Sequence, residues 1–259
     1  MQKRLTLEAL EDRTLLSGGS VSSTAGLIAA INAANKAGGG TAITLAPGAI
    51  FNFTSANNYT NGANALPVIT ADITIIGHGP NPSSGGDLLD RTAPPTMPFR
   101  LFDVASGGEL WLTNLALQGG LAQGTGAAAQ GGAIYSSGKQ LKLNGVPQLK
   151  LNGVTVEGNT AQGSNGANGF EPNPTQSPGG SGASAHGGGL YVAGGSVSLT
   201  NSIFSSNIAN GGNGGNGDSR VGTGRLACRQ VSRSPSPNRT GNFYCIRLSL
   251  CRSISVFSL

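Results

Sequence analysis

The segment GGAIYSSGKQ at 131–140 recurs with the same spacing as GGGLYVAGGS at 187–196. Residues 141–148, LKLNGVPQ, contain an extra copy of the LKLNGV motif that follows them. Without those eight residues, 131–163 aligns with 187–211 with no gap, so one repeat unit is about 25 residues long. Repeats of this length are typical of solenoid proteins, in which each repeat packs only on its neighbours.

Three shorter segments share one spacing of apolar residues within these repeats. The equivalent positions are Leu112, Leu117 and Ala122, then Leu151, Val156 and Ala161, then Leu199, Phe204 and Ala209. Alternation of apolar and polar residues over a few positions, bounded by Gly, Pro and Asn, predicts short strands. Asn159 and Asn207 stand two residues before the alanine in the last two segments, and we expect them to form a hydrogen-bonded ladder along the stack.

Composition favours an ordered β architecture punctuated by glycine. Glycine supplies 43 of the 259 residues, and charged residues only 10%. Helical bundles, coiled coils and charge-rich disordered chains need many more charges. No apolar run approaches the roughly 18 residues of a membrane-spanning helix, so no membrane span is expected. The one helical pattern follows Ser23 or Thr24 as cap, buries Leu27 and Ile31, and ends at Gly38–Gly40, as suits a helix closing the end of a solenoid.

Charge divides the chain into a near-neutral body and a basic tail. Residues 1–219 hold 9 basic and 11 acidic side chains, whereas 220–259 hold seven arginines, no acidic residue and all three cysteines. A nucleic-acid groove on the body is therefore not expected. The pattern rich in glycine and asparagine also ends at this boundary. This change indicates either a shifted reading frame with a truncated solenoid or a natural, disordered basic tail. We divide the chain into 1–22, 23–219 and 220–259.

Two resemblances supply expectations about fold and location. The GGAIY and GGGLY segments, each followed by Asn-x-Ala-x-Gly, resemble the repeats of polymorphic outer-membrane proteins and of other right-handed parallel β-helix proteins with a pectin lyase-like fold. The resemblance spans about 23–219 and implies an all-β, right-handed parallel β-helix with a short N-terminal capping helix. Residues 1–22 contain a segment similar to the LEPR-XLL motif, with Asp12 where that family has proline, and this implies an extracellular or surface location. The matching residues are Leu10, Glu11, Arg13, Leu15 and Leu16.

Candidate catalytic residues come from resemblances to enzymes that are parallel β-helix proteins. Gly77-His78-Gly79 is similar to an active-site tripeptide of β-helix polygalacturonases, but that family's aspartate and cationic motifs are missing, and a histidine in a turn is the alternative. Asp87, Asp90 and Arg91 resemble the carboxylate-arginine group of calcium-dependent pectate lyases. They lie in 80–98, which is rich in Pro, Gly and Ser and is predicted to be a solvated loop.

Glycine-rich segments and one tryptophan are the remaining candidates for binding. Residues 164–186 are predicted to be a loop, and 211–218 resemble the calcium repeat of secreted toxins, with a flexible loop as the alternative. Trp111 is equivalent to Lys150 and Ser198 and is predicted to face outward. There it either stacks on a sugar ring or is covered by the 80–98 loop.

The function predicted from the sequence is that of an extracellular or surface-displayed structural or adhesive module, with no cofactor and no catalysis by these residues. Polysaccharide or cell-surface components are the candidate partners. The alternative is a polysaccharide lyase or hydrolase of the pectin lyase-like fold whose catalytic repeats are lost or unrecognised. Stacked acidic residues on one face would favour the enzyme, and none is evident in 23–219.

Overall fold

The computed structural model describes residues 19–124, 127–137, 149–169 and 179–216. Most of the LEPR-XLL-like segment, residues 141–148, Asp218 and the basic tail lie outside these ranges. The described residues contain one α-helix, α1 (Thr24–Ala37), one short 3-10 helix (Pro82–Ser84) and many short strands. The strands are β1 (Thr41–Thr44), β2 (Ile50–Phe53), β3 (Asp72–Ile76), β4 (Asp87–Arg91), β5 (Phe102–Val104), β6 (Glu109–Thr113), β7 (Leu115–Gln118), β8 (Leu121–Gln123), β9 (Ala129–Gln130), β10 (Ile134–Ser136), β11 (Leu149–Asn152), β12 (Thr155–Glu157), β13 (Thr160–Gln162), β14 (Ala185–His186), β15 (Leu190–Val192), β16 (Val197–Thr200), β17 (Ile203–Ser205) and β18 (Ile208–Asn210).

The strands form parallel sheets in which neighbours come from successive repeats. Sheet A has the order β1-β3-β6-β11-β16, and sheet B has the order β2-β4-β7-β12-β17. Smaller sheets have the orders β5-β10-β15, β8-β13-β18 and β9-β14. The pairings between these strands are all parallel. The molecule is therefore a mostly β chain with parallel sheets, in agreement with a solenoid-like fold.

The register of the sheets confirms the repeat alignment made from the sequence. Leu151 pairs with Leu112 and Leu199, and the strands at Val156 and Ala161 pair with the other predicted equivalents. The GGAIY and GGGLY segments also pair in register, Tyr135 with Tyr191. Of the two LKLNGV copies, the second forms β11 in the wall of sheet A.

The core consists of apolar columns that run across the sheets. In a parallel sheet, equivalent side chains of neighbouring strands lie one strand spacing apart, about 4.8 Å, and point to the same face. One column crosses sheet A and another crosses sheet B, and both are buried except at their last member, which is half-buried. The columns are Ile43, Ile75, Leu112, Leu151 and Leu199, and Phe51, Leu89, Leu117, Val156 and Phe204.

Helix α1 packs against β1, β2 and β3, at the edge where sheets A and B begin. Ser23 is its N-cap, and its side chain accepts a hydrogen bond from Gly26 N at 3.1 Å. Gly38 ends the helix in the left-handed conformation at φ 71°, which glycine adopts at little cost. The buried face of the helix consists of Leu27, Ala30, Ile31 and Ala34.

Two segments predicted to be loops contain short strands, so these predictions were wrong over Asp87–Arg91 in 80–98 and over Ala185–His186 in 164–186. Within 80–98, β4 pairs with β2 and β7 in sheet B. Asp87 and Arg91 share the buried face of this strand with Leu89, so polar residues at inward positions conceal the alternation that identifies a strand. The segment 164–186 contains β14 and a regular set of hydrogen bonds that is described below.

Candidate functional site

Asp87 and His78 are in contact, although they lie nine positions apart in the sequence. Asp87 is fully buried, and its Oδ2 accepts hydrogen bonds from His78 N at 2.7 Å and lies 3.0 Å from His78 Nδ1. Its Oδ1 accepts a hydrogen bond from Ala49 N at 2.8 Å. Both carboxylate oxygens therefore accept backbone N–H groups, one just before β2 begins and one just after β3 ends. The His78 side chain is 38% exposed and lies at the surface of this contact.

Close packing around Gly77 explains why a glycine precedes His78. A Cβ atom at Gly77 would overlap the carbonyl oxygen of Asn114 and approach Asp87 Oδ2 to 2.9 Å. The backbone of the neighbouring strand and the buried carboxylate thus fix this residue as glycine. Gly77 therefore lies just after the end of β3, packed between Asn114 and the buried Asp87.

Asp90 and Arg91 point to opposite faces of β4, so the predicted carboxylate-arginine group does not assemble. The Arg91 side chain is 8% exposed, and its Nη2 donates hydrogen bonds to Pro94 O and Met97 O, both at 2.7 Å. Its guanidinium also lies 4.8 Å from the centre of the Phe99 ring. Arg91 therefore anchors the segment that follows β4, and its donors are turned inward.

Asp90 lies on the outward face of sheet B, where polar residues align. It pairs in register with Asn52 and Gln118, and the same column continues to Glu157 and Ser205. Burial raises the pKa of the Asp90 carboxyl, and this outweighs the lowering by Arg91. Ser205 Oγ donates to Glu157 Oε2 at 3.3 Å. The column places one amide between the two carboxylates.

Carboxylates do stack in sheet A, contrary to the expectation from the repeats. Asp72 on β3 is the register neighbour of Glu109 on β6. Glu109 is 7% exposed and Asp72 is half-buried, and both take part in further interactions. The aligned repeats could not show this pair, because β3 lies before the first repeat. Among the described residues, no group of three or more His, Cys, Asp or Glu side chains could hold a metal ion.

Trp111 faces outward, as predicted, and is 36% exposed. It pairs in register with Lys150, which pairs with Ser198 in turn. Lys150 Nζ lies 3.3 Å from the centre of the Trp111 ring, a cation–π contact that covers one ring face. A sugar could stack on that face only after displacing the lysine.

The ladder predicted between Asn159 and Asn207 is present. Asn159 is fully buried, and its Nδ2 donates to Asn207 Oδ1 at 2.9 Å and to Glu157 O at 2.9 Å. Its Oδ1 accepts a hydrogen bond from Gly120 N at 2.8 Å. A primary amide both donates and accepts, so it can link the neighbouring strands on either side.

The ladder extends further than sequence reasoning found, because amides recur at every third residue. Gln162 Oε1 accepts from Asn210 Nδ2 at 2.8 Å, and the Oδ1 atoms of Asn165 and Asn168 accept from the backbone N–H groups of Asn213 and Asn216, both at 2.9 Å. Each partner lies 48 residues further along the chain. The signal in the sequence is an Asn or Gln at every third position. These positions are 159, 162, 165 and 168, and 207, 210, 213 and 216.

Beyond the strands, three glycine-rich segments associate through a cycle of backbone hydrogen bonds. We call residues 163–169, 179–183 and 210–216 the glycine bundle. Its first segment donates to the third, the second to the first, and the third to the second, at 2.7–2.8 Å and at every third residue. The N–H groups of the first segment donate to carbonyl groups of the third, in the pairs Gly163–Asn210, Gly166–Asn213 and Gly169–Asn216. Those of the second donate to the first, in the pairs Gly180–Ala167 and Ala183–Ser164. Those of the third donate to the second, in the pairs Gly212–Ala183 and Gly215–Gly180.

A period of three residues is that of the polyproline II helix, and where three such chains associate, as in collagen, glycine occupies every position that faces the crowded axis. The bundle follows this rule, since a Cβ atom at its inward glycines would overlap a carbonyl oxygen of a neighbouring segment. These glycines are Gly163, Gly166, Gly179, Gly182, Gly212 and Gly215. Within 211–218, for which a flexible loop was the alternative, Gly212 and Gly215 are thus hydrogen-bonded to the second segment, and Asp218 lies outside the described residues.

A second group of polar residues surrounds Asp103, which sequence reasoning did not identify. Asp103 is fully buried, its Oδ2 accepts from Asn61 Nδ2 at 3.0 Å, and burial raises its pKa. It shares a column with Tyr135 and Tyr191, whose rings stack with their centres 5.9 Å apart. Arg100 lies 5.0 Å from the centre of the Tyr135 ring and is 5% exposed. This column crosses the sheet of order β5-β10-β15, and Asn61 of the 57–64 segment contacts it at Asp103.

Comparison with known proteins finds no matching family model, no matching curated protein and no matching solved structure. Within the part of the chain that the structure describes, no helix is long and apolar enough to cross a membrane. The interpretation of the function accordingly depends on the contacts of the described residues.

Proposed function

We propose that this protein is an extracellular or surface-displayed structural and adhesive module, built as a right-handed parallel β-helix, and that the described residues perform no catalysis. The in-register parallel columns of sheets A and B support the β-helix form. Right-handedness is supported by the general rule that about 98% of parallel crossover connections have this hand. The LEPR-XLL-like segment supports the location.

One observation carries the non-catalytic role: Asp87 and Arg91, two of the four residues that resemble catalytic groups, are buried and bonded to the backbone. The two oxygens of the Asp87 carboxylate accept backbone N–H groups, and the Arg91 guanidinium donates to backbone carbonyls. A catalytic carboxylate or arginine has to reach the substrate with its polar atoms. Asp87 and Arg91 instead fix the corners at which the chain passes from one sheet to the next.

The test is an assay for cleavage by the full chain. Pectin, alginate and polygalacturonate are incubated with the protein, with and without calcium, and unsaturated products and reducing ends are measured. We expect no products above a protein-free control. Products whose formation is abolished by His78→Ala or Asp90→Asn would contradict the proposal.

A polysaccharide lyase or hydrolase is the second candidate, and two observations favour it: the contact between His78 and Asp87, and the stacked carboxylates of Asp72 and Glu109. A buried carboxylate can orient a surface histidine for acid-base chemistry. Asp87→Asn would distinguish the two functions. If the pair is structural, the variant loses stability; if it is catalytic, the variant loses activity that the wild type must first display.

A further inference from the structure

We propose that the outer face of the glycine bundle, carrying Asn165, Asn168, Asn213 and Asn216, is a contact surface for a neutral, extended polysaccharide. This inference deepens the adhesive role proposed above and depends on it. All four residues are exposed. Two of them belong to the first segment of the bundle and two to the third.

The four amides form a regular grid. The first and third segments run parallel, and Asn165 and Asn168 are bonded to the backbone N–H groups of Asn213 and Asn216. Because the side chains of Asn165 and Asn168 reach the backbone of Asn213 and Asn216, the four exposed residues lie together along the line where the first and third segments meet. Along a segment, three residues of polyproline II helix extend about 9.3 Å. This distance is close to the length of two linked sugar rings, after which an extended polysaccharide presents the same hydroxyl groups to one side.

The chemistry of the grid selects a neutral ligand rich in hydroxyl groups. Each primary amide offers two donors and an acceptor, and a sugar hydroxyl is both donor and acceptor. Residues 158–169 and 179–216 contain no Asp, Glu, Lys or Arg. A nucleic acid or an anionic polysaccharide would be bound mainly through cationic side chains, which these residues do not supply.

The bundle holds these amides in place before a ligand arrives. Its three segments are joined by backbone hydrogen bonds in a closed cycle, and its inward glycines lie too close to neighbouring carbonyl oxygens for larger residues. A preordered surface loses little conformational entropy on binding, so a few hydrogen bonds to hydroxyl groups suffice for adhesion.

The test is native electrophoresis of the full chain through gels that contain hydroxyethyl cellulose, alginate or no polysaccharide. The variant Asn213→Ala/Asn216→Ala removes two exposed amides and keeps the backbone N–H groups that bond to Asn165 and Asn168. Gln118→Ala/Asn152→Ala removes two exposed amides from sheets B and A and serves as the matched control. Urea midpoints are measured for both variants, and if the bundle variant is destabilised, the single substitutions are compared instead.

We expect hydroxyethyl cellulose to retard the wild type and the control equally, at low and at high salt. The apparent affinity of the bundle variant should fall about tenfold, because each lost hydrogen bond changes an equilibrium constant roughly threefold to tenfold. Equal retardation of the bundle variant and the wild type would overturn the assignment to the bundle while leaving an adhesive role. Retardation by alginate alone, or by neither polymer, would also overturn it. Cleavage of a polysaccharide would instead contradict the non-catalytic function.

Discussion

Replacing Asn159 by alanine tests whether the amide ladder holds successive repeats together. Asn159 is fully buried, and its Oδ1 accepts the only hydrogen bond in which the buried Gly120 N–H takes part among the described residues. Its Nδ2 donates to Asn207 Oδ1 and to the carbonyl groups of Leu117 and Glu157. The substitution therefore removes contacts to the strands on both sides at once.

The expected loss of stability follows from the Gly120 N–H group that the substitution leaves unpaired. A buried donor without a partner costs about 1–3 kcal/mol, and the lost side-chain pair with Asn207 contributes about 1 kcal/mol more. We therefore expect Asn159→Ala to lower the free energy of unfolding by about 2–4 kcal/mol. Asn207 is only half-buried, so water can enter the space that its side chain leaves, and Asn207→Ala should cost about 1 kcal/mol.

Urea denaturation followed by circular dichroism measures both variants and the double variant. A lower midpoint at an unchanged slope would indicate a change in stability alone. Because the two amides are in contact, the double variant should cost less than the sum of the single variants, by about 0.5–1.5 kcal/mol. The ladder would have no stabilising role if Asn159→Ala stayed within about 0.5 kcal/mol of the wild type. It would also be refuted if Asn207→Ala were the more harmful change.

Three further predictions concern other parts of the chain. Burial raises the pKa of the Asp90 carboxyl in the fold, so wild-type stability should fall as pH rises through that pKa. Urea midpoints across pH should show that Asp90→Asn is slightly more stable than the wild type at neutral pH, and that this difference vanishes in acid. Deleting residues 141–148 should leave the melting temperature equal or slightly higher, because the second LKLNGV copy already forms β11; a fall of many degrees would mean that both copies belong to the wall. Gly212→Ala should lower the free energy of unfolding by about 1–3 kcal/mol, because the added Cβ would overlap a backbone oxygen. Gly180→Ala should cost little, because its Cβ would lie 3.2 Å from the nearest neighbouring atom. Equal effects of the two substitutions on urea midpoints would refute the packing of the bundle.

The repeats were predictable because one physical constraint acts on every copy. A strand that enters a parallel sheet must match the register of its neighbour, or its inward side chains turn outward. The spacing from Leu151 to Val156 and Ala161 therefore had to recur, and the sheets align these positions with both neighbouring repeats. The ladder at Asn159 followed from the same alignment.

Strand β4 was missed because its inward positions carry charge. Alternation identifies a strand only where inward side chains are apolar. Asp87 and Arg91 occupy inward positions on either side of Leu89, and each compensates for its burial by bonding to backbone groups at a corner. The sequence DLLDR shows none of these partners, which come from segments up to 38 residues away.

The glycine bundle was missed because neither familiar period applies to it. Strands are recognised by a period of two and helices by one of 3.6, whereas the bundle repeats every three residues. Its segments also lack large apolar side chains, so composition favours a loop. The clue was present in the amides at 207, 210, 213 and 216, which continue the period of the ladder past the last strand.

The choice of side chain at the corners explains how the ladder can continue from repeat to repeat. Asp87 accepts backbone N–H groups with both oxygens and has nothing to donate, so it can close one corner only. A column of such carboxylates would also place like charges one strand spacing apart. Asn159 accepts from Gly120 on one side and donates to Asn207 on the other, so the same residue type serves at the next repeat without accumulating charge. The amides that follow Asn159 and Asn207 along the chain, at every third position, are likewise uncharged, and this property suits their exposed members to bind hydroxyl groups.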